Sequence, residues 1–201
     1  MTNTEAYVEL KHEVKVTDER VGPWYKSFTG VHIYPLDPRP EDICIEDIAH
    51  ALSNACRFTG MVKSFYSVGE HSVHVSHACE ERDALWGLMH DASEAYLGDL
   101  NSPTKYGTHL GVEYRHLEWR WMHKICVRFH MNCMEPSSVT SADKRMGYIE
   151  AVQLYATPID DARWETQRKM IRGDEPPIRC CTPRQAEAAF LKRFSCLTEG
   201  R

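Results

Sequence analysis

The sequence has no continuous apolar run near the roughly 18 residues that a membrane span requires, so no membrane association is expected. Residues Met1 to Val16 are mixed and charged and lack the apolar centre of a signal peptide, which points to a cytoplasmic protein. Basic charge is not in excess: 24 Lys and Arg stand against 29 Asp and Glu, a formal net charge of -5. That excludes a domain held to nucleic acid by bulk phosphate electrostatics, although a local basic cleft is compatible with it. The eight cysteines form no C-x-x-C, and adjacent Cys180 and Cys181 are poorly spaced for zinc. Without a secretory signal the thiols are expected to be reduced and mostly buried. There is no internal repeat and no low-complexity tract.

What is present is ordinary globular composition: 42% apolar and 26% charged over 201 residues, enough for one buried core. Residues 1–27 read as an irregular lead-in passing through Gly22-Pro23, and residues 28–201 as the folded domain. Phe28 to Tyr34 has strand-like composition and predicts a short hairpin arm, which Pro35, Pro38 and Pro40 then stop.

Helical periodicity begins at Ile45, with Ile48, Ala49, Leu52, Ala55 and Cys56 at three- and four-residue steps. Ser67 and Glu70 predict a capping box opening a second helix. A third helix is expected from Asp83 to Leu97, stopping at Gly98, with Asn101-Ser102-Pro103 as a loop. A long helix follows over about Val112 to His130, with Trp119, Met122, Cys126 and Phe129 on one stripe. Another follows Pro136, carrying Val139, Ala142, Met146, Ile149 and Val152. Thr182-Pro183-Arg184-Gln185 is a second capping box, with proline at the first helical position. The expected fold is an all-α bundle. Residues 157–180 carry no motif, and Trp119, Trp121 and Met122 read as core or subunit contact.

His90 and Asp91 sit inside an otherwise apolar helical segment, Leu85 to Ala92. Burying such a pair is costly unless each member has a partner or an ion. Together they offer one nitrogen and one oxygen, a mix that suits a transition metal. His71 on the preceding helix is a natural third ligand, and Asp143 on a later apolar-periodic helix a natural fourth. The plain alternative is a buried hydrogen-bonded network without metal. His74 and His77 continue a ladder from His71 and are read as exposed or packing residues.

The ordered set His71, His90-Asp91 and Asp143 resembles the H…HD…D signature of HD-domain phosphohydrolases. Arg57-Phe58, Ser67-Val-Gly-Glu-His71-Ser, His90-Asp-Ala-Ser-Glu-Ala-Tyr-Leu-Gly-Asp99 and Ser102-Pro-Thr-Lys105 extend the likeness to the 5′-deoxynucleotidase branch, over roughly residues 30–155. The single-domain size and the PLDPRPEDI…HAL…CRF lead-in resemble phage members, for which the host cytoplasm would be the location.

The resemblance implies a single HD-domain helical bundle and a divalent transition metal: cobalt, manganese, zinc, nickel or iron. It implies that Glu94 orients or deprotonates water and that Asp99 donates a proton or braces the site. Arg57 matches the family's phosphate-binding arginine, with Lys105 and Lys144 as further candidates for neutralising phosphate. Phe58 stands where an aromatic crowds the 2′ carbon of the sugar. The expected substrate is therefore a 2′-deoxynucleotide, cleaved at its 5′ phosphoester. The preferred activity is a dATP-type triphosphohydrolase releasing deoxynucleoside and triphosphate; the alternative is a 5′-nucleotidase on deoxynucleoside monophosphates. From a different class, a non-catalytic metal-stabilised nucleotide-binding module is also considered. A homo-oligomer is expected, through the arm near Val31 to Tyr34 and the tryptophan-rich helix.

Overall fold

In a computed structural model, residues 20–159, 162–171 and 177–199 are described, and helices dominate them. A two-stranded antiparallel hairpin comes first, β1 (Tyr25–Lys26) on β2 (His32–Ile33), with Tyr25 opposite Ile33. The hairpin therefore takes its first strand from the lead-in side of the expected boundary, and residues 27–31 form its turn. Residues 1–19 lie outside the described residues.

Helix α1 (Ile45–Asn54) buries Ile48, Ala49 and Leu52, the face its periodicity marks. Asp47 on the same helix accepts hydrogen bonds from the Thr29 N–H and hydroxyl at 2.8 and 2.9 Å, which fastens the hairpin turn to the bundle. Helix α2 (Val68–Ala78) starts at Ser67, whose hydroxyl accepts from the Glu70 N–H at 3.0 Å. The other half of the expected capping box does not form. The Glu70 carboxylate turns away to accept from the Cys181 N–H at 2.7 Å.

Two glycines let three helices approach closely. A Cβ on Gly69 would lie 2.6 Å from Ser53 Oγ, and one on Gly87 would lie 3.0 Å from the Ser76 backbone. Helix α3 (Ala84–Met89) thus lies tight against α2, and the ends that carry His71 and His90 are drawn together.

The expected continuous helix to Leu97 is interrupted. After α3 the chain makes a turn over His90 to Ser93, then resumes as the short α4 (Glu94–Leu97) before Gly98 at φ 85°. The bonds here run three residues apart: Ala92 N–H to Met89 O at 2.9 Å and Glu94 N–H to Asp91 O at 2.9 Å. At that tighter pitch residues i and i+3 eclipse, so Asp91 and Glu94 share a face.

The segment read as a loop instead opens α5 (Ser102–Gly107), capped by the Asn101 side chain on the Thr104 N–H. Helix α6 (His109–Arg128) buries Trp121, not Trp119: Trp121 is 0% exposed and stacks on Tyr96 at 4.2 Å, whereas Trp119 is 69% exposed. Helix α7 (Ser137–Leu154) buries Val139, Ala142, Met146 and Ile149 as expected, while Val152 faces out. After the short α8 (Glu165–Arg168), α9 (Pro183–Thr198) begins with the complete Thr182–Gln185 capping box and seats Phe190 in the core. No helix among the described residues is long and apolar enough to cross a membrane. All eight cysteines carry free thiols.

Candidate metal centre and active site

His71, His90 and Asp143 converge as a group able to hold a metal ion. His71 Nε2 lies 3.2 Å from His90 Nε2 and 3.1 Å from Asp143 Oδ1; His90 Nε2 is 3.9 Å from the same oxygen. Asp91 joins them, its Oδ2 3.2 Å from His90 Nε2 and 3.8 Å from His71 Nε2. Ligand bonds of about 2.1 Å at right angles or tetrahedral angles separate donor atoms by roughly 3.0 to 3.5 Å. Three of the five separations fall in that range, and the two longer ones, 3.8 and 3.9 Å, lie within half an ångström of it.

Tautomers are settled by the partners. His90 Nδ1 faces the Gly87 carbonyl at 2.9 Å and His71 Nδ1 faces a Glu150 oxygen at 2.6 Å. Neither partner can donate, so each Nδ1 carries a proton, and Nε2 is the atom that each neutral ring would offer to an ion at the common point.

Charge points the same way. Burial would push both imidazoles toward neutrality, and for His71 the Arg57 guanidinium adds to that. The carboxylates outweigh it: Glu150 and Asp143 raise His71, and Asp91 holds His90 up at about 9. Burial works against charge on Asp143 too, yet the His71 contact brings its carboxyl down to about 2. Without a cation the cluster gathers protons; a divalent ion satisfies the same demand. The residues fit a metal.

The cluster opens into a cleft of about 1320 Å³. His90, Asp91 and Asp143 line it together with the other residues the sequence singled out: Arg57, Phe58, Glu94, Asp99, Lys105 and Lys144. His71 is fully buried behind them. His74 stays outside the cluster, 3.8 Å from Glu70, and His77 is exposed.

Within the cleft, Glu94 is nearly buried. Its Oε1 lies 3.6 Å from Lys105 Nζ and its Oε2 has no hydrogen-bond partner among the described residues. Burial, then Asp91 and Asp99, lift its carboxyl well above the usual carboxylate range. Burial also lifts Asp99, against the pull of Arg57. Lys105 sits between two carboxylates, 2.6 Å from Glu118 on α6. Lys144 is exposed at the rim.

Arg57 stands 3.6 Å from Asp91 and gives its Nε–H to Glu150 at 3.2 Å. Phe58 is held at φ 55°, ψ 28°, with its ring edge-on to Tyr155 at 5.3 Å.

Sequence reasoning missed Glu150, Tyr66 and Glu118. For Glu150 a signal existed: it follows Asp143 by seven residues, two helical turns, on a face otherwise apolar. Glu118 and Tyr66 carry no such mark: neither shares a helix with one of the candidate ligands.

No family model matches the chain. It is 33% identical over 177 residues to the uncharacterized protein YfdR of Escherichia coli (strain K12), an alignment covering 88% of this chain and 96% of YfdR. An uncharacterized protein of Rhodobacter capsulatus is likewise 33% identical, over 190 residues, covering 87% of this chain and 95% of that one. With identity at that level across nearly the whole of both sequences, the chain belongs to the family of YfdR.

Proposed function

We propose that the protein is a metal-dependent phosphohydrolase of the HD-domain type that cleaves the 5′ phosphoester of 2′-deoxynucleotides. The observation that carries this reading is one juxtaposition: the His71-His90-Asp143 group, with Asp91 beside it, shares a cleft with Glu94, a nearly buried carboxylate with an unpartnered oxygen.

A structural carboxylate in that position would be hydrogen-bonded. One with a raised pKa and an unpartnered oxygen is suited to take a proton from water. His71, His90, Asp91 and Asp143 would hold the ion, which supplies Lewis acidity toward a phosphoryl oxygen and its water. Glu94 orients the attacking water and accepts its proton. Arg57 and Lys105 offset phosphate charge, the guanidinium fork being suited to two oxygens at once. Asp99, at the cleft mouth, supplies a proton to the departing 5′ oxygen or braces the residues that do.

For the preferred substrate, a deoxynucleoside triphosphate such as dATP, water adds to the α-phosphorus and the bond from phosphorus to the 5′ oxygen breaks. Deoxynucleoside and triphosphate are released. Incubation with dATP and with dAMP, each with manganese or cobalt, tests this by product analysis. Triphosphate release from dATP supports it; turnover confined to dAMP replaces it with a 5′-nucleotidase. Nucleotide binding that survives Glu94→Gln, with no turnover by the native protein, leaves a non-catalytic binding module. A cytoplasmic homo-oligomer, joined through the arm near Val31 to Tyr34 and the helix that exposes Trp119, completes the proposal.

A further inference from the structure

We propose that Glu150 is a positioning residue that ties the metal cluster to the anion-binding arginine, so that one buried carboxylate sets the geometry of both. The inference rests on the metal reading above.

Glu150 is 0% exposed and surrounded by donors. Its Oε1 accepts from His71 Nδ1 at 2.6 Å and from the Tyr66 hydroxyl at 2.8 Å, and its Oε2 accepts from Arg57 Nε at 3.2 Å. A buried carboxylate is retained at a cost in solvation that apolar packing would avoid. Here each contact has a directional consequence. The bond to Nδ1 fixes the His71 tautomer, aims Nε2 at Asp143 and His90, and increases its basicity, as carboxylate partners of metal-binding histidines do. The bond to Arg57 occupies the Nε edge of the guanidinium. The Nη1 group is thereby left toward Asp91, at 3.6 Å, on the side that lines the cleft.

The backbone reinforces the arrangement. The Arg57 N–H donates to the Tyr66 carbonyl at 2.8 Å, which ties the segments carrying the arginine and the tyrosine to each other. Asp143 and Glu150 lie seven residues apart on α7, about two turns, so one helix face delivers both a direct ligand and its brace.

Glu150→Gln and Tyr66→Phe test this, with Co²⁺ and inorganic triphosphate as probes, and thermal melting to establish that each variant folds. Native protein is expected to bind Co²⁺ with a defined visible spectrum. Glu150→Gln is expected to bind it about 10- to 100-fold more weakly, with an altered spectrum, and to bind triphosphate more weakly even when saturated with cobalt. Glu150→Asp should restore part of both. Tyr66→Phe removes a single donor and should weaken Co²⁺ several-fold in a folded protein, which keeps the test open should Glu150→Gln not fold. A folded Glu150→Gln, or in its place a folded Tyr66→Phe, with native cobalt affinity and spectrum overturns the assignment of Glu150 alone. Failure of the native protein to bind Co²⁺ overturns the metal reading and this inference together.

Discussion

The Nε2 atoms of His71 and His90 face each other at 3.2 Å, and the other nitrogen of each ring is already committed, to Glu150 and to the Gly87 carbonyl. Two lone pairs aimed at one point repel unless a proton or a cation lies between them. A divalent ion should therefore stabilise the fold. At 100 times its dissociation constant the gain is about 2.7 kcal/mol, and for a chain of 201 residues this is a rise in Tm of roughly 5–10 °C. Thermal melts with added manganese or cobalt, before and after chelation, measure it. His90→Ala should abolish the shift; a shift that survives places the ion elsewhere.

Glu94 should trade stability for chemistry. Its folded-state pKa is raised, by burial first and by Asp91 and Asp99 next. The sign follows from linkage: a carboxyl raised in the fold favours folding fully below its unfolded pKa, and that contribution is lost as pH climbs through the folded value. Glutamine keeps the shape without the charge. Glu94→Gln should therefore melt higher than the native protein at pH 8, with the two converging near pH 4. Turnover should fall about 10²- to 10⁴-fold, the usual contribution of a positioned acid or base. Equal melting at both pH values would show that Glu94 is solvated.

The same local physics explains what the sequence did and did not disclose. Ser67, Gly98 and the Thr182–Gln185 box are local signals, and each lies at the helix terminus it predicts. His71, His90, Asp91 and Asp143 were legible because charged residues on apolar faces demand partners. The turn at His90 to Ser93 was not legible: its composition suits an unbroken helix, and the break is made by tertiary fit around the cluster. Trp119 and Trp121 were not separable by period alone, since which one is buried depends on the Pro35 carbonyl, 3.1 Å from the Trp121 indole N–H. Glu150 was marked only as a carboxylate on the apolar face two turns after Asp143; its meeting with His71, 79 residues away, is set by the tertiary fold.

Lys105 bridges two carboxylates in the cleft wall, 2.6 Å from Glu118 and 3.6 Å from Glu94. Lys105→Met removes the cation and leaves both acids partly buried. Breaking a fully buried pair costs about 3–5 kcal/mol; Lys105 keeps some solvent, so a loss on the order of 2 kcal/mol is expected. Chemical denaturation measures this directly. The loss should shrink below pH 5, where the two carboxyls, both raised by burial, can take protons instead. A loss that does not depend on pH would assign the residue a packing role only.

Phe58 and Thr59 occupy the left-handed region at φ 55° and 54°, immediately before a glycine that would tolerate it more easily. That conformation costs a side-chain-bearing residue roughly 1–2 kcal/mol, and strain of this kind persists where the surroundings or the function require it. At Phe58 the ring lines the cleft beside Arg57 and against Tyr155. Phe58→Gly relieves the strain but forfeits an aromatic contact of about 0.5–1.5 kcal/mol, so stability should stay within about 1 kcal/mol of native. If the ring crowds the 2′ position of the sugar, selectivity should collapse while the fold stands. The ratio of kcat/KM for dATP over ATP is expected to drop at least about tenfold, as loss of one steric contact of 1.4 kcal/mol requires. An unchanged ratio in a folded variant would mean that the strained turn serves the Arg57 position and that the sugar is read by other residues.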